Sequence, residues 1–349
     1  MEQSPLQPTP VGAFRFNTDS SKMEYYDGNQ WVNITSTSPE AQTGGTRGLL
    51  FGRYNHPASY NVIDYIQINT TGDSIDFGDI TGATYYGGAF ASRTRGIYFG
   101  GYPETDNMCY VTIASTGDTA DFGNLSVARR NPGAVSNQTR GVVAGGGNVN
   151  ELTVYDTMDY VTIASTGHAV DFGNKTNNIM TPAGSINSPT RGVFAAGAST
   201  APSYTETNVM DYITIASTGH AQDFGDLRQA TAAPAGCSNA VRGIIAGGAT
   251  DLVPGQTLTA DISYLTIATT GNAMDFGDLI VATNFGHSAG MSSPVRGVFA
   301  CGYVAPGPSA TRDTIQYIAI ATQGNAVDFG DSVTSERYRS ANSNAHGGL

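Results

Sequence analysis

At 349 residues the chain can bury a large core, yet only 13% of it is charged and 44 residues are Gly, while Val, Ile, Thr, Tyr and Phe fill its patterned runs. That is the composition of a turn-rich, all-β protein. The net charge of −12 comes from a shortage of basic residues rather than from an acidic run, which argues against a nucleic-acid-binding face and against a charged tail. No stretch approaches the roughly eighteen apolar residues of a membrane span. Met1 to Gly12 has neither the positive segment nor the apolar segment of a secretory leader, so neither membrane insertion nor signal-dependent secretion is expected.

Residues 1–40 stand apart from the rest. Phe14 to Ile34 reads as three short strands, joined by polar turns at Thr18 to Lys22 and at Asp27 to Gln30, which makes a small N-terminal β-hairpin module. Residues 41–349 are repetitive. Arg-Gly followed by an apolar run recurs at Arg47, Arg95, Arg140, Arg191, Arg242 and Arg296. Each copy then carries a Tyr eleven residues ahead of an Asp-Phe-Gly whose Asp is Asp76, Asp121, Asp171, Asp223, Asp275 or Asp328. Such a period marks repeat architecture.

Four strand-like pieces are expected per unit. The Arg-Gly piece, as in Arg242 to Gly248, is a continuous apolar run suited to a strand buried on both faces. The second alternates: in Asp211 to Ser217, Ile213 and Ile215 share one face while Tyr212 and Thr214 share the other. A Thr-Gly step such as Thr218-Gly219 then turns the chain into the Asp-Phe-Gly piece. The fourth, for example Ala233 to Asn239, is rich in small residues and suits a strand near a crowded axis. Near the end, Ser343 to Leu349 falls where a fourth piece of the first unit is needed, and it is expected to close six units by exchange between the two ends. Pro39 to Gly45 competes for that slot, and a seventh unit built partly from N-terminal residues stays open.

The order of these signals, an apolar strand ending in a Gly pair such as Gly100-Gly101 or Gly247-Gly248, then Tyr, then an aromatic, resembles the kelch repeat over about residues 46 to 347. Phe77, Phe122, Phe172, Phe224, Phe276 and Phe329 stand where that repeat has Trp. The resemblance implies a six-bladed β-propeller with four strands per blade. Phe14-Arg-Phe-Asn-Thr-Asp19, followed by Tyr26-Asp-Gly28 and Trp31, resembles a small module near the ends of many tailed-bacteriophage fibre and virion proteins. The phrase Asp159 to Gly167 with Ala169 to Gly173 is similar to repeats in structural proteins of marine phages. These resemblances imply a non-enzymatic virion protein, a tail-fibre, tail-tip or surface-appendage protein, attached to other virion proteins through its N-terminal module. A capsid or neck decoration protein without host binding is the alternative, a propeller enzyme such as a sugar oxidase or glycosidase a more remote one, and assembly into a homo-oligomer is left open.

The residues offer no catalytic constellation. Asp-Phe-Gly spells the kinase metal-binding letters, but its six copies come without a phosphate loop, a strand Lys or a catalytic-loop Asp, so it reads as structural. The six Arg and six Asp are expected to pair or to cap loops between strands as hydrogen-bonded structural charges. Cys109, Cys237 and Cys301 lack metal spacing and read as buried free thiols. His56, His168, His220, His287 and His346 read as surface turns, and no metal or cofactor is expected. The variable part is the loop between first and second pieces, where the Arg-to-Tyr spacing runs 18, 15, 20, 21, 22 and 21. These loops should gather on one rim and offer Tyr54, His56, Tyr60, Tyr102, Glu104, Glu151, Tyr155, Tyr204 and Tyr303 to a host receptor or glycan.

Overall fold

The computed structural model describes residues 9–18, 22–34, 46–55, 57–148, 153–180, 183–199, 204–252, 257–286, 289–304 and 311–349. The chain divides into two compact units, Met1–Ala41 and Gln42–Leu349. Among the described residues every regular element is a strand, and no helix is long and apolar enough to cross a membrane.

In the first unit β1 (Phe14–Asn17), β2 (Lys22–Tyr26) and β3 (Trp31–Ile34) form one antiparallel sheet in that order. Asp27 makes the second turn by accepting the N–H groups of Asn29 and Gln30 on one carboxylate oxygen, both at 2.7 Å. These bonds hold its carboxyl below the usual range. Arg15 pairs with Glu24 at 2.7 Å and lies over the Trp31 ring, 4.2 Å from its centroid.

Among the described residues the second unit holds six four-stranded antiparallel sheets. The first contains β4 (Arg47–Asn55), β5 (Ala58–Gln67) and β6 (Ile75–Asp79); the second β7 (Gly88–Ala91), β8 (Arg95–Phe99), β9 (Thr105–Thr112) and β10 (Ala120–Arg129). The third begins with β11 (Gly133–Ser136) and β12 (Arg140–Ala144), inserts the ribbon β13 (Gly147–Asn148) and β14 (Thr153–Val154), and continues with β15 (Thr157–Thr162) and β16 (Val170–Asn174). The fourth is β17 (Ile186–Asn187), β18 (Arg191–Ala195), β19 (Thr207–Thr214) and β20 (Gln222–Thr231). The fifth has β21 (Ala235–Ser238) and β22 (Arg242–Ala246), a second ribbon, β23 (Ala249–Asp251) with β24 (Thr257–Leu258), then β25 (Asp261–Thr266) and β26 (Met274–Asp278). The sixth is β27 (Gly290–Ser292), β28 (Arg296–Tyr303), β29 (Thr311–Ala319) and β30 (Val327–Glu336). Finally β31 (Ser340–Ser343) pairs antiparallel with β4, Ser340 opposite Phe51 and Ser343 opposite Gly48, and so supplies the fourth strand of the first sheet from residues just ahead of the expected Ser343 to Leu349, of which only Ser343 is in the strand. Pro39 to Gly45, the other candidate for this slot, lies outside the described residues.

The small-residue strand lies at one edge of each sheet, next to the Arg-Gly strand, then the Tyr strand, with Asp-Phe-Gly at the far edge. Small side chains at the first edge let these strands crowd together. β7 touches β11, β11 touches β17, β17 touches β21, β21 touches β27, β27 touches β31, and β31 touches β7. Six apolar clusters fill the seams between successive sheets. Leu49, Phe51, Ile63 and Phe77 of the first sheet pack on Ala89, Tyr98 and Val111 of the second, and the same packing joins Val298, Ile315 and Phe329 of the sixth sheet to Leu50, Ile66 and Ile68 of the first. This is a propeller-like, all-β arrangement whose core is divided among its seams.

The repeated letters are explained at those seams. The Phe of each Asp-Phe-Gly is buried, with its ring meeting the Tyr eleven residues from the Asp edge-on, as Tyr160 meets Phe172 at 6.0 Å. The following Gly has φ between 136° and 150° and stands against the next sheet's turn, where a Cβ on Gly225 would lie 2.5 Å from the Gly271 carbonyl oxygen. The residue after each turn Gly is Asp73, Asp118, His168, His220, Asn272 or Asn325, always an acceptor. Each accepts the backbone N–H of the preceding sheet's residue just after Asp-Phe-Gly, at 3.0 to 3.2 Å.

The expected pairing of the six Arg with the six Asp is not formed. Each Arg lies over its own sheet's Tyr, 4.3 to 4.7 Å from the centroid. Its Nη1 donates to an Ile carbonyl of the next sheet, Arg140 to Ile215 at 3.0 Å and Arg296 to Ile68 at 3.1 Å among them. A carbonyl satisfies the guanidinium without the desolvation of a second charge, and the cation gains the ring face besides. The six Asp stand exposed, and of them Asp275 is ion-paired, to Arg228.

Candidate ligand-binding rim

Six equivalent β-bridges tie the segment entering each sheet to the chain just past that sheet's Arg-Gly strand: Tyr54 with Arg337, Tyr85 with Tyr102, Arg130 with Gly147, Met180 with Ala198, Ala232 with Ala249 and Asn284 with Tyr303. Both partners of every bridge therefore belong to one rim. The variable segments there are more regular than expected. In the first sheet β4 and β5 continue as a hairpin through Arg53 opposite Tyr60 to Asn55 opposite Ala58, and in the sixth Tyr303 is paired with Thr311, so strand pairing runs into both of these segments.

At the bridges of the sixth, first and second sheets the rim turns aromatic. Tyr54 lies 4.7 Å from Tyr85, Tyr85 lies 4.7 Å from Tyr86 and 5.4 Å from Tyr102, and Tyr86 lies 4.4 Å from Tyr338, ring centroid to centroid. Two cations flank the rings. Arg130 is 5.4 Å from both Tyr86 and Tyr102, and Arg337 lies 4.8 to 5.5 Å from Tyr54, Tyr303 and Tyr338. Glu104 approaches Arg130 at 3.7 Å. Tyr102 is exposed and the other five rings are partly buried. Burial, with the neighbouring phenols Tyr54 and Tyr102, raises the pKa of Tyr85, and burial above all carries Tyr86 well up, so both hydroxyls remain neutral hydrogen-bonding groups.

Tyr86 and Tyr338 hold φ of 65° and 63° at the step just before an edge strand, where Asn131 and Ala233 do the same in other sheets. A left-handed Tyr is a strained choice, costing on the order of 1 kcal/mol or more, and here it places two rings on the rim.

Of the residues expected to bind, the structure brings Tyr54, Tyr102, Tyr303 and Glu104 into this patch. Tyr60 is exposed beside it on the first hairpin, 4.8 Å from Arg53. Tyr155 stands in the third sheet's segment against Arg129, and Tyr204 stands in the fourth sheet's. His56 and Glu151 lie outside the described residues. The sequence reading missed Tyr85, Tyr86, Arg130, Arg337 and Tyr338. Its signal was available: Tyr85-Tyr86 and Arg337-Tyr338 stand where other entering segments carry Arg130-Asn131 or Ala232-Ala233.

The expected histidine positions also need correction. His168 and His220 are exposed turns, as read, and His287 lies outside the described residues, but His346 is partly buried rather than a surface turn. It faces the narrow space among the edge strands, where Nε2 reaches the Ala91 carbonyl at 2.9 Å and Ser136 Oγ at 3.2 Å and Nδ1 meets Asn187 Nδ2 at 2.8 Å. Burial pulls its pKa down to about 4. All three cysteines are buried and free. Among the described residues no group of three or more His, Cys, Asp or Glu is gathered to hold a metal ion.

No family model matches the chain, and no curated protein matches it. Among solved structures it is similar to one titled "Structure of YjhT", with a TM-score of 0.60 at 10% identity over 74% of this chain and 87% of that one. At that identity the likeness concerns the fold alone.

Proposed function

We propose that the second unit is a closed, six-bladed, kelch-like β-propeller. We further propose that the protein is a non-enzymatic component of a tailed-phage particle, held to other virion proteins by its N-terminal module, and that it recognises a host receptor or glycan through the tyrosine face. Support for closure comes from the seams: the sixth sheet meets the first through the same Phe–Gly bond, Arg–carbonyl bond and apolar cluster that join the others. Support for a particle component comes from the resemblance of Phe14 to Ile34 and of the repeat phrase to phage structural proteins. The observation that carries recognition is the gathering of Tyr54, Tyr85, Tyr86, Tyr102, Tyr303 and Tyr338 around Arg130 and Arg337 on one rim.

Six tyrosines with two arginines are unlike neutral rim variation, because Tyr buries much surface at little entropic cost and both Tyr and Arg are enriched at binding hot spots. Ring faces suit the C–H faces of a sugar, while phenol hydroxyls and guanidinium forks suit its hydroxyls and any carboxylate. The test is binding of the fluorescently labelled full chain to the candidate host and to a resistant derivative, with Tyr85→Ala, Arg337→Ala and the distant Tyr204→Ala. Host-selective binding that falls roughly tenfold or more in the first two variants and persists in the third supports the proposal. A folded protein that binds purified virion proteins but no cells would assign it instead to decoration or assembly.

A further inference from the structure

Five of the six seams carry a polar bridge at the same place. The residue before each repeat Tyr, or its near neighbour, receives a group from the preceding sheet or from the segment leaving it: Asp159 takes Arg129 at 2.7 Å, Asp211 takes Lys175 at 3.2 Å, Asp261 takes Arg228, Gln316 takes the Ile280 N–H at 2.9 Å, and Asp64 takes Arg339, which lies between β30 and β31, at 2.5 Å. The first seam has none of these. Cys109 stands where Asp159 stands in the next sheet, and a cavity of about 370 Å³ opens beside it.

The correspondence is residue by residue. Arg129 is eight residues after Asp121 and four before Gly133 at the start of β11; Thr84 is eight after Asp76 and four before Gly88 at the start of β7. The Arg129 guanidinium donates to the carbonyls of Gly145 and Thr157, at 3.0 and 3.1 Å, as well as to Asp159. Gly145 itself donates to the Thr157 carbonyl, and Gly100 donates to the Asn107 carbonyl in the same way, so Gly100 and Asn107 are their counterparts. Thr84, Gly100, Asn107 and Cys109 all line the cavity. The volume filled at the second seam by a buried arginine is therefore unfilled at the first, with its lining retained.

We propose that this cavity is a binding site for a small guanidinium-bearing ligand with an apolar body. The guanidinium would sit where that of Arg129 sits in the next seam, and Glu104, which also lines the cavity with its side chain 7% exposed, would supply the carboxylate that Cys109 does not. The apolar body is accommodated by Ile80, Met108 and the Tyr98 ring, and the volume lies at the small end of ligand pockets. Glu104 is shared with Arg130, so the site recognises a donor fork by geometry as much as by charge.

The test is calorimetric titration of the full chain with n-butylguanidinium and with its neutral counterpart n-butylurea. Binding of the cation at least roughly tenfold tighter than the urea is expected, since a charge-assisted bond replaces a neutral one. Thr84→Arg with Cys109→Asp, which copies the Arg129–Asp159 pair into the seam, should abolish binding while the protein keeps its melting temperature. Glu104→Gln, a milder change, should weaken binding roughly tenfold. No binding by the wild type at millimolar ligand, equal binding of cation and urea, or undiminished binding in either folded variant would overturn the proposal.

Discussion

Gly72 donates its backbone N–H to the Phe329 carbonyl at 2.9 Å, joining the first sheet to the sixth. It is one of six such bonds, the others running from Gly117, Gly167, Gly219, Gly271 and Gly324 to Phe77, Phe122, Phe172, Phe224 and Phe276 at 2.7 to 2.9 Å. The Phe thus works twice, its ring in the seam and its carbonyl on the neighbour's turn. The Gly beside it is what allows the turn to come that close.

Gly225→Ala should therefore be costly. The new Cβ would meet the Gly271 carbonyl oxygen at 2.5 Å with φ held at 136°, combining strain with a backbone clash. A loss of roughly 3 kcal/mol or more is expected in urea unfolding. Gly271→Ala has a φ of 149° but open space, so strain alone applies, about 1–3 kcal/mol. Gly82→Ala, with open space and no left-handed φ, should change stability by less than about 0.5 kcal/mol. A reversed order of the first and third would refute the seam argument.

The buried ion pairs make a second prediction. Arg129 and Asp159 are both sequestered, and burial lowers the Arg129 pKa even though the facing carboxylate opposes that. Asp159→Ala leaves a buried guanidinium uncompensated and should cost about 3–5 kcal/mol. Arg129→Met with Asp159→Leu removes both charges and should cost much less, because well-packed apolar groups replace the pair without desolvation. Equal losses in the two variants would show that packing, not charge, sets the cost.

The repeat, the strand types and the order of pieces were legible because each residue's role recurs. Phe224 or Gly225 can be read six times over, and the period-two alternation of Tyr212 to Ile215 is a local signal. What was not legible depends on partners far apart in sequence. Arg140 looked like a mate for a carboxylate because charge is all a sequence displays, whereas its neighbours in space are the Tyr160 ring and the Ile215 carbonyl. The rim was half legible for a related reason. Tyr54 and Tyr102 lie in visibly variable segments, but Tyr85 and Arg337 lie in segments that look like plain connections until the bridges pair them with those residues.

The thiols give a third prediction. Burial pushes the Cys109 pKa up to about 12 and raises those of Cys237 and Cys301 as well. All three should be silent toward a disulfide reagent at pH 8 in the native protein and react together once urea unfolds it. A stoichiometric reaction of Cys237 or Cys301 in the native state would show that a seam opens, whereas reaction of Cys109 alone would report access through the cavity it lines.

His346 sets the pH dependence. Its folded pKa near 4 lies below the ordinary 6.5, so the unfolded chain takes up this proton as pH falls through 6.5 while the folded chain resists until about 4. Stability contributed by the neutral ring is therefore complete above 6.5 and lost progressively between 6.5 and 4. The residues lining the space around it include no carboxylate, so nothing there offsets the charge, and the imidazolium would have to give up acceptance at Nδ1 beside Asn187 and the Gly348 N–H. His346→Gln has no titration in this range. The difference in melting temperature between wild type and variant should thus shrink or reverse as pH is lowered from 7 to 4.5, and a difference that stays constant would mean the ring is not held neutral by its surroundings.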